Sequence, residues 1–285
     1  MINFRYHIIS LGAVFLALAV GVVFGVVVVG ADDSSGESGE NRADAAEQAF
    51  ESAFADAASG LVGTNLTNRR ILVVTTPGAR TSEVDDLTAR ISTAGGTVVG
   101  EVALTTKLLD SANRQFAESI AKQSAGDVPG VQNGEDSYSR IGAALARAFI
   151  GDAEIDEQAS TIQSAFDQGG LLDLPTAPTQ RADLALIVIG PTAADSVRGE
   201  IIADVAAEMA TAGAGGAVVG PSTTSVDGGV LDQVRSSDRI GSFATVDVTD
   251  LAAGRLVAVW ALVRSAAGEN GSWGTTRSET GRLPR

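Results

Sequence analysis

Ile71-Leu72-Val73-Val74-Thr75-Thr76, closed by Pro77-Gly78, is the most telling stretch of the chain. The run is apolar and β-branched without polar alternation, the pattern of a short strand buried on both faces inside a helix-covered sheet. Directly downstream, Ser82 and Asp85 form a capping-box pattern, Val84, Leu87 and Ile91 make a helical stripe, and Gly95-Gly96 stops it. Thr97–Leu104 reads as a second strand, followed by helical stretches over 112–123, 140–150 and 154–166, with a Gly, Asp and Asn-rich surface loop over 124–137.

The second half repeats the alternation. Leu184–Ile189 is a central strand, and Thr192 or Asp195 caps a helix carrying Val197, Ile201, Val205 and Met209 on one face, which Gly213 ends. Ala217–Val219 and Phe243–Val248 are further strands, and Asp250 is placed to cap a buried last helix containing Leu256, Val259, Trp260 and Val263. Together these segments predict a Rossmann-like, three-layer α/β domain with a mostly parallel sheet over residues 67–265, and a polar tail over 266–285.

Working back from the domain, residues 43–66 hold an amphipathic helix with Ala46, Phe50, Ala53, Phe54, Ala57 and Leu61 along one stripe. It resembles a coiled coil but falls short of the three to four heptads that define one. Such a stripe serves self-association or capture of an envelope partner, or it docks on its own domain. Residues 32–42 form an acidic, flexible Gly and Ser-containing spacer. Before it, residues 1–31 contain 24 consecutive uncharged residues, Ile8–Ala31, with Leu11, Phe15 and Val29 among the apolar positions. That length crosses a hydrocarbon core of about 30 Å as one helix. A cleaved signal peptide is the rival, but the run exceeds the roughly 7–15 residues of a usual signal h-region, so an uncleaved signal-anchor is expected. Arg5 precedes the run, and Asp32 and Asp33 follow it, so the N-terminus is expected in the cytoplasm and the remainder in the cell envelope. Whether the protein reaches an outer membrane stays open. Gly21 and Gly25 form a GxxxG, which brings membrane helices together but is also common in spans without that role.

Phe4-Arg5-Tyr6-His7, Ser10-Leu11, the run from Ala13 to Ala19, Gly21-Val22 and Gly25 resemble the opening of the actinobacterial MctB-like family of copper transporters, which also contains SteB-like cell-separation proteins. The likeness extends more weakly through the body. Near the end, Gly271-Ser272-Trp273-Gly274 is similar to the family's aromatic-Gly element but lacks its preceding His. The resemblance implies a role in copper efflux and resistance or, through the SteB-like members, engagement of a peptidoglycan hydrolase.

Composition narrows the chemistry. All 35 Asp and Glu and 19 of the 20 Lys and Arg follow residue 31, so the segment after the apolar run carries 19 − 35 = −16. That charge argues against nucleic acid, whose phosphates need clustered cations. The sequence contains no Cys, and its one His, His7, precedes the apolar run. Thiol and imidazole catalysis in the exported part are therefore excluded, and an enzyme is not expected. The same inventory is poor for copper, since Cu(I) selects Cys and Met and Cu(II) selects imidazole. Apart from Met1 there is only Met209, on an apolar helical face that reads as core. No metal or cofactor site is expected. The expected contacts are the bilayer and a second copy or an envelope protein.

Three strand-end loops remain as a candidate pocket: Thr76-Pro77-Gly78, Gly190-Pro191-Thr192 and Gly220-Pro221-Ser222. Ligands of doubly wound sheets sit at such carboxyl ends, and a small-ligand sensor is the function that would follow. Gly and Pro ending strands as plain turns is the simpler account.

Overall fold

A computed structural model describes residues 63–151, 154–191, 196–274 and 283–284. Both the apolar N-terminal run, with Ile8, Leu11, Phe15, Gly21, Gly25 and Val29, and the stripe Ala46, Phe50, Ala53, Phe54, Ala57 and Leu61 lie outside the described residues. Among the described residues no helix is long and apolar enough to cross a membrane.

Strands β1 (Arg70–Thr75), β2 (Thr97–Leu104), β3 (Leu172–Thr176), β4 (Leu184–Val188), β5 (Gly215–Val219), β6 (Ala244–Val246) and β7 (Ser272–Trp273) form one sheet in the order β3-β2-β1-β4-β5-β6-β7. Every neighbouring pair is parallel except β2 with β3. The helices are α1 (Thr81–Thr93), α2 (Arg114–Ser124), α3 (Pro129–Asn133), α4 (Ser137–Phe149), α5 (Glu157–Gln168), α6 (Ser196–Ala212), α7 (Val230–Ser236) and α8 (Ala252–Ala266).

The strand side chains split between two cores because successive residues of a strand point to opposite faces. Leu72, Val74, Ala185, Ile187 and Val218 join one cluster with residues of α2 to α7. Ile71, Val73, Leu184, Leu186, Ala217 and Val219 join the other with α1 and α8. This burial on both faces explains why the strands read as unbroken apolar runs, and it gives the three-layer α/β architecture.

Several details depart from the sequence expectations. Ser82 lies inside the first turn of α1, whose N-cap is Arg80, and no side chain caps it. Asp250 does not cap α8 either, because its carboxylate is taken by Ser222; the N-cap is Leu251. The loop over 124–137 contains α3, the segment after β5 contains α7, and β3 pairs antiparallel at the edge. Leu66, placed by pattern at the end of the amphipathic segment, is in a turn and packs fully buried against the α/β core. Ser272 and Trp273, assigned by composition to the polar tail, form β7 beside β6. Met209 is fully buried, as its place on an apolar face required.

Candidate functional site

The chain leaves β1 to build β2 on one side and returns to β4 on the other, so the topological switch point lies between the carboxyl ends of β1 and β4. Open α/β sheets bind ligands there. The fold brings the three predicted loops to this edge on the adjacent strands β1, β4 and β5, Thr192 alone lying outside the described residues. The first two are tied to each other by a hydrogen bond, and the third is tied to β6 and the residues after it. Thr76 donates its backbone N–H to the Val188 carbonyl at 3.1 Å, and its hydroxyl oxygen accepts from the Gly190 N–H at 3.0 Å. Gly220 donates to the Val246 carbonyl at 2.9 Å and accepts from Thr249 at 3.1 Å.

The first two loops touch backbone to backbone. A Cβ at Gly190 would fall on the main chain of Gly78 and Ala79, so only glycine permits this approach. Gly78 itself has φ +88°, the left-handed region, where the chain turns from Pro77 toward α1. The space between these loops is thus filled by their own main chain. Ser222 lies one strand further along, donating its hydroxyl to Asp250 at 2.7 Å. A carboxylate directly on a serine hydroxyl, with no imidazole between them, is a weak activating pair.

A charged network borders this edge on the α1 and α8 side. Glu83 is 4% exposed, and Arg80 reaches its carboxylate at 2.9 Å. Burial pushes the Glu83 carboxyl above the ordinary range, while Arg80 and Arg255 oppose the shift. For Asp86, burial alone would raise the carboxyl, but hydrogen bonds from Arg90 and Arg255 outweigh it and hold the group below the ordinary range. Arg255 also donates to the Thr249 carbonyl at 2.7 Å. Glu83 is the group best placed to exchange a proton, yet the described residues set no thiol or imidazole beside it. Sequence pattern could not reveal this network, because Asp86 and Arg255 are 169 residues apart.

The C-terminal aromatic-Gly element has a structural task. Arg235, 7% exposed, donates to Thr245 at 3.0 Å, to the fully buried Asp247 at 3.0 Å and to the Trp273 carbonyl at 2.9 Å. Trp273 is 4% exposed within the core shared with α1 and α8. Gly274 has φ +129°, and a Cβ there would overlap the Asp247 carboxylate. The guanidinium thus ties β7 to β6 alongside their backbone pairing and the hydroxyl bond that Thr245 donates to Ser272 at 3.0 Å.

Among the described residues no group of three or more His, Cys, Asp or Glu is arranged to hold a metal ion. The sequence comparisons extend over nearly the whole chain. Copper transporter MctB of Mycobacterium tuberculosis is 26% identical over 289 residues, covering 92% of each chain. The protein of the same name from Mycobacterium bovis gives the same values. That of Mycobacterium leprae is 26% identical over 317 residues, covering 98% of each. The family described as "Copper transport outer membrane protein, MctB" matches residues 1–284. The chain belongs to the MctB family of copper transport proteins.

Proposed function

We propose that the protein is a single-pass envelope protein that supports copper efflux and resistance through protein contacts, without catalysing a reaction. In this arrangement residues 1–31 anchor it with the N-terminus in the cytoplasm, the α/β domain is exported, and residues 43–61 present the helix that meets a second copy or an envelope partner. The observation that carries this reading is the family match from residue 1 through residue 284, which takes in the 24-residue uncharged run together with the domain. A run of that length suits a bilayer span. Contacts rather than catalysis are supported by the strand-end edge, where Gly190 and the Pro77–Ala79 main chain occupy each other's space and the nearby charges are engaged in ion pairs.

Deleting the gene and restoring either the full chain or a chain lacking residues 43–61 tests this. The expected result is a copper-sensitive deletion strain with normal septation, rescued by the full chain and not by the shortened one. Chained cells with normal copper tolerance would overturn the copper role in favour of cell separation. Full rescue by the shortened chain would overturn the role of the helix.

A further inference from the structure

Away from the switch point, on the face built by α4, α6 and α7, lies an open cavity of about 390 Å³. That is within the roughly 300–1,000 Å³ of small-molecule sites. Glu135, Asp136, Glu200, Asp204 and Asp238 contribute carboxylates to its lining, and Arg239 contributes the positive charge. Arg239 is already engaged, paired with Glu208 and 3.7 Å from Asp204. The negative charge of the cavity is therefore far from neutralised by its own lining.

Two hydroxyls in the same lining lack partners. Ser139 is 6% exposed, and its side chain makes no hydrogen bond among the described residues. The Tyr138 hydroxyl is buried and unpartnered as well. The enclosed Tyr138 hydroxyl without a partner costs free energy, which a bound donor would recover. The backbone N–H groups of Tyr138 and Ser139 are already satisfied by Asp136, so the unmet capacity is in the hydroxyls. The carboxylates are spread around a volume far larger than one ion and do not converge as metal ligands. Dispersed negative charge over such a volume matches dispersed positive charge.

We propose that this cavity binds a small organic polycation of the linear di- or polyamine class, with ammonium groups donating to Asp204 and Glu200 and to the hydroxyl oxygens of Ser139 and Tyr138. Asp204 makes the binding pH-dependent. Burial pushes its carboxyl up to about 6, Asp136, Glu208 and Glu200 add repulsion, and Arg239 opposes them. Glu135 and Asp238 also line the cavity. Below pH 6 Asp204 takes up a proton and its attraction for an ammonium group is lost.

Isothermal titration of the full chain in detergent with spermidine, and separately with Mg²⁺, tests the assignment. Saturable one-to-one binding of spermidine is expected at pH 7.5, weaker by about tenfold at pH 5 and in Asp204→Asn, as for loss of one charge-assisted hydrogen bond. Asp204→Asn preserves shape and removes a buried charge; Glu200→Gln alters an exposed residue and is expected to weaken binding without touching the fold. Ser139→Ala is expected to weaken spermidine severalfold. Absence of saturable heat, an affinity that neither Asp204→Asn nor Glu200→Gln changes, or Mg²⁺ competing from the same site at equal affinity would overturn the proposal.

Discussion

Replacing Arg235 by Ala removes a side chain that binds β6, β7 and the buried Asp247 together. The pair is nearly dry, with Arg235 7% and Asp247 0% exposed at 3.0 Å. Removing one partner of such a pair leaves an uncompensated buried charge, a loss of about 3–5 kcal/mol. For a domain of this size each kcal/mol shifts the melting temperature by about 2–4 °C, so Arg235→Ala should melt about 10 °C lower. Because the pair is buried, the effect should change little between low and high salt. In a Trp260→Phe background Trp273 supplies a local probe, since its carbonyl is held by Arg235 and its ring packs in the core. Circular dichroism should report the melting shift, and tryptophan fluorescence should move to the red as β7 loosens. A double-mutant cycle with Asp247→Asn should give a coupling of at least about 1 kcal/mol, as expected for contacting groups. A shift in Arg235→Ala below about 1 kcal/mol, with unchanged Trp273 emission, would refute the claim that this pair holds the C-terminal strand.

Other consequences follow from the same geometry. Gly190→Ala puts a Cβ into the main chain of Gly78 and Ala79 and should cost at least about 2 kcal/mol, measured by urea unfolding. Leu72→Ala, at a fully buried position in β1, should cost about 2–5 kcal/mol in the same measurement. Asp204 titrates at about 6 when folded against an ordinary 3.8, so the folded state holds the proton more tightly and stability falls as pH rises through that window. Asp204→Asn should accordingly be more stable than the parent at pH 7, by on the order of 2 kcal/mol, and indistinguishable from it below about pH 4. A chain lacking residues 1–31 should leave the membrane fraction, as read by fractionation and immunoblotting.

The parts of the fold that were legible in the sequence are those where burial is uniform. β1, β4 and β5 are covered on both sides, so each shows a compact run of Ile, Leu, Val and Ala, and Gly95 at φ +84° stops α1 where a left-handed residue was needed. Elements at the margins were not legible. β3 includes Asp173 and Pro175, is half exposed and pairs antiparallel at an edge, where proline is tolerated. β7 is two residues long and is held by pairing with β6, by Thr245 and by Arg235, all distant in sequence. Local rules also lost to tertiary ones at Asp250, which pairs with Ser222 instead of capping α8. Sequence order puts the strand-end loops at neighbouring strands, but it carries no sign that Gly190 closes on Gly78 and Ala79. The acidic cavity was invisible for the same reason, since it assembles Asp136, Glu200 and Asp204 with Arg239 across α4, α6 and α7.

In the function proposed above, this member of a copper-transport family works through contacts, without a tight copper site of its own. Titration of the purified full chain with Cu(I) under reducing, anaerobic conditions and with Cu(II) in air tests this. The residue chemistry predicts no sub-micromolar site for either ion, since Cys is absent, Met209 is buried in the core and the one His precedes the domain. Stoichiometric sub-micromolar binding of either ion would show that the protein carries a copper site of its own.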